Sequence, residues 1–470
     1  MRTVAAAVLL SLLATRADAG SFRNNGTGAY DATPPTRFHA VADALWSATP
    51  PSWSNSSPVL FAGLVCTLAE PTTVWCVDAA TGRPKWSATN DFADTLTAVE
   101  RPAFDLKVAD AARAAIDVAA LQARFGELRK ALRSKPGDAA LSSELDALSG
   151  KLASARALVD GFSPFVAGSD REVIGYTTHT PVADAAHLFV QTGNGVVSSF
   201  DASGKRLWSK WLGPAPRPPR GYALGTAASP QLVDGMLIVA QGNLFALDPA
   251  TGRERWRSVP FKDFGTPGVA RVGSTTVLLT PAGELVRASD GVVLTKGLGD
   301  VWYVGPTVIG QDVYYVGGRS DVHISAGAKP VATSWHLTEA APGDVRATKR
   351  WTSDIPATEP FYTAGVVLPG ALMVADRGTR LWRIDTATGA VTAASSPLDG
   401  IVFGPSYSSP LFVGGRVWVW SETGTSASFA PGGGPAETWR WETMRSTPVF
   451  DHDRLYVRTL DHLLCFGGAR

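Results

Sequence analysis

Residues 244–256 read LFALDPATGRERW. A short apolar run comes first, Asp248 and a turn ending at Gly252 follow, and Trp256 stands four residues beyond the glycine. An apolar run that ends in an Asp/Thr/Gly turn is typical of a buried β-strand that enters a hairpin. We expect the Asp248 carboxylate to accept hydrogen bonds from backbone N–H groups of the turn. Gly252 then supplies the positive φ angle of the turn, and Trp256 packs against a neighbouring unit.

The same pattern recurs at three other places, in residues 74–82, 197–204 and 381–389. The turn aspartates of these copies are Asp78, Asp201 and Asp385. The turn glycines are Gly82, Gly204 and Gly389, and two of the copies continue to Trp86 and Trp208. We interpret all of these residues as structural, because an aspartate in a recurring turn caps that turn. Metal ligation by the aspartates is the alternative interpretation.

Each copy belongs to a longer unit. Upstream of residue 244, two further apolar runs at 229–233 and 236–240 flank an Asp234-Gly235 hairpin turn. A unit therefore has four antiparallel strands in about 40 to 50 residues, the period of a propeller blade. Degenerate copies follow within residues 277–291, 313–351, 411–439 and 448–466. The sequence predicts an all-β fold, an eight-bladed β-propeller of four-stranded antiparallel blades.

The last unit stops before its outer strand. Residues 44–48 near the start of the chain resemble that missing strand and include Trp46 at the docking position. We expect the ring to close by pairing the two ends of the chain, which also covers sheet edges that otherwise invite aggregation.

Residues 103–161 interrupt the β pattern. Ala, Leu, Lys, Arg and Glu dominate this segment, and leucine and phenylalanine recur at helical spacing at 121, 125, 128 and 132 and again at 141, 145, 148 and 152. A break at 134–138 includes Asp138, a good N-cap. The segment is predicted to be a helical hairpin, a short antiparallel coiled coil, inserted into a propeller of residues 20–470. Its helices either only cover each other's apolar stripe or project as an arm for a partner.

Residues 1–19 have the pattern of a secretory signal peptide. A positive charge at Arg2 precedes an apolar run, and Ala17-Asp18-Ala19 predicts cleavage before Gly20. The alternative is a membrane anchor, but the run is too short to span a bilayer. We expect an exported bacterial protein, periplasmic or extracellular, without a later transmembrane segment. Lys+Arg 43 against Asp+Glu 42 gives no basis for electrostatic capture of nucleic acid.

Three cysteines are present, Cys66, Cys76 and Cys465. Cys66 and Cys76 are each five residues from Pro71, so in a symmetric hairpin they face each other. An oxidising compartment permits a cross-strand disulfide between them. Two buried free thiols are an equally open alternative.

Several other polar residues are candidate site residues. His452 and His462 lie in sequence beside Asp451, Asp453 and Asp461, which could hold a cation if their loops converged; a solvated turn is the favoured interpretation. The remaining histidines are scattered, at His39, His179, His187, His323 and His336. Residues 214–220, PAPRPPR, form a stiff basic loop that we interpret as a connector.

Two aromatic pairs precede predicted inner strands. They are Trp302-Tyr303 and Phe361-Tyr362. Such positions face the axial mouth of a propeller, where they could line a ligand surface; packing between blades is the favoured alternative. No nucleophile elbow, P-loop or zinc-protease motif occurs in the sequence.

The repeat resembles that of the pyrroloquinoline-quinone (PQQ)-type β-propeller family, an apolar strand followed by Ala-Leu-Asp, x-x-Thr-Gly and a Trp. Residues 244–256 match it best, and residues 22–28 resemble the Arg- and Gly-rich N-terminal segment of exported PQQ-like propellers, with Asn24 where a Gly usually follows the Arg. The resemblance covers residues 22–103 and 162–470. It implies the fold and leaves the activity open, because function depends on the site.

Two branches of that family imply different functions. The quinoprotein dehydrogenases bind PQQ and Ca²⁺ on the axis with a Cys-Cys disulfide and a Glu/Asn/Asp set, none of which matches a motif here. The second branch resembles the assembly factor BamB and is non-catalytic. The chain is closer to the second, although it lacks the lipoprotein Cys. We therefore expect a non-catalytic scaffold that binds a protein or envelope partner, with no cofactor; a PQQ- and calcium-dependent dehydrogenase and a small-molecule or glycan binder at the axial mouth are the alternatives.

Overall fold

The structure is a computed structural model that describes residues 20–24, 26–162, 165, 174–214, 226–261, 264–318, 329–394, 398, 401 and 403–467. The predicted signal peptide, His323 and residues 215–220 of the basic loop lie outside these residues. Two short strands come first, β1 (Ala29–Tyr30) and β2 (Trp46–Ala48). They are followed by blades whose strands pair in sequence order.

Eight four-stranded antiparallel sheets make up the ring. Blade 1 contains β3 Val59–Phe61, β4 Leu64–Ala69, β5 Thr73–Asp78 and β6 Pro84–Thr89. Blade 2 contains β7 Val182–Ala183, β8 Leu188–Gln191, β9 Val196–Phe200 and β10 Arg206–Trp211. Blade 3 contains β11 Gln231–Val233, β12 Met236–Ala240, β13 Gly242–Leu247 and β14 Glu254–Phe261. Blade 4 contains β15 Gly268–Val272, β16 Thr275–Leu279, β17 Leu285–Arg287 and β18 Val293–Thr295.

The second half of the ring repeats this arrangement. Blade 5 contains β19 Thr307–Ile309, β20 Asp312–Gly317, β21 Val331–Ala341 and β22 Asp344–Asp354. Blade 6 contains β23 Val366–Leu368, β24 Ala371–Ala375, β25 Leu381–Asp385 and β26 Val391–Ala393. Blade 7 contains β27 Leu411–Val413, β28 Arg416–Trp420, β29 Thr425–Phe429 and β30 Glu437–Arg440. Blade 8 contains β31 Val449–Asp451, β32 Arg454–Arg458 and β33 Leu463–Phe466, with β2 as its outer strand.

The first strands of successive blades lie next to one another around the axis. The predicted eight-bladed propeller is confirmed. β2 pairs antiparallel with β33, with Trp46 opposite Cys465, so the start of the chain completes the last blade. Strand β1 adds a feature that the repeat pattern does not contain, because it pairs in parallel with β27 on the axial side of blade 7.

The middle strands of the blades are covered on both sides by neighbouring blades. Every residue of β4 and of β12 is buried, whereas residues of the outer strand β6 are exposed or half-buried. Double coverage explains why the middle strands are continuous apolar runs in the sequence, without the alternation of a one-sided sheet.

The strand directions give the ring two different faces. We call the face where each first strand begins the insertion face, because the connections between blades cross it. The opposite face, which we call the turn face, carries the turns between the first two strands and between the last two strands of each blade. The Asp-x-x-Thr-Gly turns therefore lie on the turn face.

The helical hairpin joins blade 1 to blade 2 on the insertion face. It consists of α1 (Arg101–Ser134) and α2 (Ala139–Phe162). α1 begins two residues before the predicted boundary, and Pro102 is tolerated in its first turn because the first N–H groups of a helix have no intrahelical acceptor. Within the described residues, no helix is long and apolar enough to span a bilayer.

Candidate functional site

The turn aspartates are used by their own turns. Asp78 Oδ1 accepts hydrogen bonds from the N–H groups of Ala80 and Thr81 at 3.1 and 3.0 Å and from the Thr81 hydroxyl at 3.0 Å. These bonds, that of the Thr81 side chain first, lower the pKa of the Asp78 carboxyl. Asp201, Asp248 and Asp385 accept equivalent bonds and also have lowered pKa values.

The turn glycines receive a tryptophan from the preceding blade. A Cβ atom at Gly82 would lie 2.6 Å from the Trp46 ring, and the Trp46 indole N–H donates to Ala79 O at 3.2 Å. The same contact joins Trp86 to Gly204, Trp208 to Gly252, Trp256 to Gly291 and Trp351 to Gly389. These glycines have φ between +69° and +85°. A Cβ atom at any of them would therefore clash with the tryptophan ring of the preceding blade.

Blades 4 and 5 are joined in another way. Glu339, in β21, accepts hydrogen bonds from the N–H and the hydroxyl of Ser274, both at 2.9 Å. The Thr275 hydroxyl donates to the same carboxylate at 2.5 Å, and these bonds lower the Glu339 pKa to about 2. The turn between β15 and β16 of blade 4 thus holds a carboxylate of blade 5, and Arg287 Nη1 of blade 4 donates to Gly343 O of blade 5 at 2.9 Å.

The cysteines of blade 1 face each other across β4 and β5. Cys66 pairs with Cys76 in the strand register, and their sulfur atoms are bonded. Cys465 is a free cysteine, and burial raises the pKa of its thiol to about 12.

The residues beside His452 and His462 do not converge. His452 lies in the turn between β31 and β32 on the turn face, where its Nδ1 is 2.9 Å from Asp451 Oδ1. His462 lies in the turn between β32 and β33 on the insertion face, where it contacts Glu442 at 2.8 Å. The length of β32 separates the two histidines. The convergence that a cation site would need does not occur. The described chain contains no cluster of three His, Cys, Asp or Glu residues that could hold a metal.

A ring of hydroxyl groups surrounds the axis near the insertion face. In six of the eight joints, the residue two positions before a first strand donates its backbone N–H to the side-chain hydroxyl of the equivalent residue in the next blade, at 3.0–3.3 Å. We call these acceptors the hydroxyl ring: Ser57, Thr180, Ser229, Thr266, Ser409 and Thr447. Gly305 of blade 5 and Ala364 of blade 6 lack a hydroxyl and interrupt it.

The residues four positions before each first strand occupy the axial mouth, and all but Phe264 are half-buried. These eight positions hold Asn55, Thr178, Ala227, Phe264, Tyr303, Tyr362, Tyr407 and Arg445. Four consecutive blades contribute aromatic rings, with Tyr303 and Tyr362 4.6 Å apart and Tyr362 stacked on Tyr407 at 5.6 Å. The Arg445 guanidinium lies 5.9 Å from the Tyr407 ring and pairs with Glu422 at 2.5 Å. The aromatic arc coincides with the interruption of the hydroxyl ring.

The N-terminal segment lies inside the axial channel. The Arg23 side chain is 3% exposed and donates to Gly365 O at 2.8 Å and to Gly26 O at 3.2 Å. Gly20 O accepts a hydrogen bond from Ala183 N in blade 2 at 2.8 Å. Burial lowers the pKa of the Arg23 guanidinium to about 10. Residues 20–24 and 26–30 thus bridge blades that lie on opposite sides of the axis.

The axial residues do not fit PQQ with Ca²⁺. Such a pair needs carboxylate and amide oxygens that converge on the axis, and the eight mouth positions in the described chain include no carboxylate. The nearby Glu422 is held by Arg445. Residues 29–30 also occupy the axial side of β27 as an added strand.

One buried histidine lies near this channel. His179 is fully buried, and its Nε2 is 3.0 Å from the Thr226 hydroxyl. Burial lowers its pKa to about 3. No motif in the sequence distinguishes His179 from the other histidines.

An aromatic cluster anchors the helical hairpin, which we call the arm. The Phe92 ring lies 5.1 Å from the rings of both Phe104, in α1, and Trp211, at the end of β10. Phe165 lies 4.6 Å from Phe92 and 5.1 Å from Trp211. Aromatic side chains near the start of α1 and after the end of α2 thus pack together on blade 2 and hold the base of the arm there.

The predicted apolar stripes of the arm face each other. Leu128 of α1 and Leu152 of α2 are buried, and the other six residues of the two stripes are half-buried. The outer sides of both helices are exposed.

The chain matches a known protein family. The family model described as outer membrane protein assembly factor BamB matches residues 36–173 and 162–323, more than half of the chain. The chain belongs to this family. Comparison with curated proteins gives no match. The predicted resemblance to PQQ-type propellers is confirmed by the BamB family match.

Several solved structures are similar to this BamB-family chain. BamB from Moraxella catarrhalis is 14% identical and covers 60% of this chain and 82% of its own, with a TM-score of 0.44. The quinohemoprotein alcohol dehydrogenase from Comamonas testosteroni is 11% identical and covers 94% of this chain and 79% of its own, with a TM-score of 0.48. A computationally designed protein is 8% identical, with coverages of 92% and 99% and a TM-score of 0.49. At these values the similarities carry no inference about binding or activity.

Proposed function

We propose that this BamB-family chain is a non-catalytic scaffold, exported to the bacterial periplasm or beyond, that binds a protein of the cell envelope through the arm and the insertion face. The turn face is built from Asp, Gly and Trp residues that hold the blades together. The insertion face carries the arm and the connections between blades. The residues that serve partner binding therefore belong to the insertion face.

The distribution of exposed apolar side chains carries this proposal. Eight large hydrophobic residues are exposed in the described chain, and four of them belong to the arm or the residues that lead into it. Those four are Val99 at 88%, Leu106 at 68%, Ile116 at 71% and Leu158 at 46% exposure. Exposed apolar side chains gathered in one region mark a protein-contact surface. All four lie in the half of the arm nearer the ring.

The anchoring of the arm supports the same function. A partner that contacts Leu106 or Ile116 meets helices whose direction is fixed by the packing of Phe104 and Phe162 at the ring. A binding surface that is ordered before contact loses less entropy on association.

Photo-crosslinking tests this proposal in cells that express the full chain. A photoreactive phenylalanine analogue placed at Leu106 or Ile116 should give one discrete crosslinked protein. The matched control is Val292, which is 45% exposed and lies on the turn face. Crosslinks at Val292 with none at the arm positions would overturn the proposal.

A substitution experiment gives an independent measurement. Leu106→Asp together with Ile116→Asp should reduce the amount of the same partner recovered in a pull-down with the full chain by about tenfold, as expected for the loss of two apolar anchors. Val292→Asp should leave recovery unchanged. Addition of PQQ and Ca²⁺ should produce neither a quinone absorbance change nor dye reduction; either signal would favour the dehydrogenase alternative.

A further inference from the structure

The far end of the arm carries four basic residues in a short stretch. Arg129, Lys130 and Arg133 belong to the last turns of α1, and Lys135 begins the loop to α2. All four side chains are exposed. We call these four residues the arm tip. The overall charge of the chain is +1, so this concentration is a local property that the composition does not reveal.

The arm tip differs from the rest of the arm in its charge pairing. Along the arm, Arg101 pairs with Asp105 at 2.8 Å and Arg113 with Asp110 at 2.5 Å, and Arg124 bridges to Glu144 at 2.8 Å. No ion pair within the described arm involves any of the four arm-tip residues. Their charges are therefore available to an external anion.

Two carboxylates, those of Asp138 and Asp146, lie beside the four basic residues of the arm tip, which therefore exceed them by two charges. Asp138 caps α2, because its Oδ1 accepts hydrogen bonds from Ala140 N at 3.0 Å and Leu141 N at 3.1 Å. Glu144 is engaged by Arg124. An open depression of about 800 Å³ at the end of the arm is lined by Arg129 and Arg133 and also by Asp138 and Asp146.

The shape and composition of the arm tip favour a lipid surface over a protein. Protein interfaces depend on a buried aromatic or apolar anchor, and none of the exposed large hydrophobic residues of the described chain lies between 129 and 146. An end that carries dispersed positive charges fits a flat anionic surface, where no shape complementarity is required. Polybasic segments associate with anionic lipid in this way, at about fivefold in affinity per basic residue.

The arm geometry makes such contact possible. α2 has 24 residues, which corresponds to a helix about 36 Å long. The aromatic cluster holds the base of the arm on blade 2, and the arm tip lies at the opposite end of the two helices.

We propose that the arm tip docks on an anionic phospholipid surface through Arg129, Lys130, Arg133 and Lys135, and thereby orients the ring relative to a membrane. The inference extends the proposed function, with the inner half of the arm facing a protein and its end facing lipid. Four charges give weak and salt-dependent association, so the contact orients the scaffold and does not by itself anchor it.

Vesicle co-sedimentation of the full chain without its signal segment tests this proposal. The probes are phosphatidylcholine vesicles with about 30% phosphatidylglycerol, an anionic content that gives a substantial negative surface potential, and vesicles of phosphatidylcholine alone. We expect association with the anionic vesicles only, and its loss at high salt. Arg129→Glu together with Arg133→Glu should reduce the partition coefficient at least about tenfold.

The matched control has the same change in net charge on the same arm. Lys107→Glu together with Arg156→Glu alters two exposed residues outside the arm tip, and we expect a change of less than about twofold. An equal loss in both double variants, or equal association with neutral vesicles, would overturn the proposal. Binding to polyglutamate without binding to anionic vesicles would also overturn it, in favour of an acidic protein. Because crosslinking at Leu106 and Ile116 uses neither lipid nor the arm tip, the proposed function stands or fails separately.

Discussion

The backbone N–H of Thr447 in blade 8 donates a 3.0 Å hydrogen bond to the side-chain hydroxyl of Ser57 in blade 1. The two residues are 390 positions apart in the sequence, and both are buried. This bond continues the hydroxyl ring across the joint where the two ends of the chain meet. On the same joint, Trp46 covers Gly82 near the turn face. Closure is therefore secured near both faces.

Removal of the Ser57 hydroxyl should weaken closure. Ser57→Ala leaves the buried Thr447 N–H without its acceptor, which should lower the free energy of unfolding by about 1–3 kcal/mol. Urea denaturation measures this change. Ser47→Ala, at an exposed position of β2, should change it by less than about 0.5 kcal/mol. Equal effects of the two substitutions would contradict a role for the hydroxyl in closure.

The contact between Trp46 and Gly82 can be separated from the cost of a positive φ angle. Gly82 and Gly63 have φ of +70° and +78°, and a Cβ atom at Gly63 would meet nothing within 4 Å. Gly63→Ala should cost about 1–2 kcal/mol for the left-handed conformation alone. Gly82→Ala should cost about 1–3 kcal/mol more, because the Trp46 ring must move. Thermal denaturation of both variants checks the difference, and similar melting temperatures would argue against the docking contact.

His179 should make stability depend on pH. Its pKa is lowered from 6.5 to about 3 in the folded chain, so the unfolded chain binds a proton at higher pH than the folded one. The neutral imidazole thus gives its full stability above pH 6.5, and this contribution is lost as pH falls from 6.5 towards 3, by about 1.4 kcal/mol per pH unit.

Denaturation of His179→Gln across that pH range provides the measurement. The variant should lose less stability than the original chain between pH 6 and pH 4. Parallel pH profiles for the two proteins would rule out the assigned contribution of His179.

Thiol counting distinguishes the two alternatives for blade 1. With Cys66 and Cys76 joined and Cys465 buried, the native chain should show no reactive thiol. In denaturant without reductant, one thiol per chain should react. Three reactive thiols under the same conditions would mean that the chain folds with blade 1 reduced.

Local chemistry explains why the fold could be predicted. The Asp248 turn and the Gly252 φ angle depend on residues within a few positions of each other, and the pattern repeats often enough to give the blade period. The tryptophan position was also evident. The glycine on which each tryptophan packs was not evident, because Trp208 packs on Gly252 of the following blade, 44 residues away.

The hydroxyl ring left a signal in the sequence that alignment of the units would have revealed. A Ser-Pro or Thr-Pro pair precedes the first strand in six blades, at 57–58, 180–181, 229–230, 266–267, 409–410 and 447–448. Proline fits the start of a first strand because its missing N–H faces the axis, where no strand pairs in most blades. Blade 5 has Gly305-Pro306 and blade 6 has Ala364-Gly365 at the same positions.

Other features could not be predicted because they depend on distant residues. Glu339 binds Ser274 across 65 positions, and neither residue belongs to a recurring motif. The parallel pairing of β1 with β27 joins segments nearly 400 residues apart. The separation of His452 from His462 depends on β32, which lies between their turns. The sequence indicates the length of β32, but it does not show that the two turns lie on opposite faces of the ring.

The pairing of early segments of the chain with late ones has a consequence for folding kinetics. Strand β1 pairs with β27, β2 pairs with β33, and Ser57 bonds to Thr447, so each early segment needs a partner that is synthesised near the end of the chain. At a synthesis rate of about 5–20 residues per second, these early segments remain without their partners for roughly 20–80 s. Such late contacts slow folding and leave strand edges uncovered in the meantime. The nascent chain should therefore depend on chaperones most strongly until blades 7 and 8 have emerged.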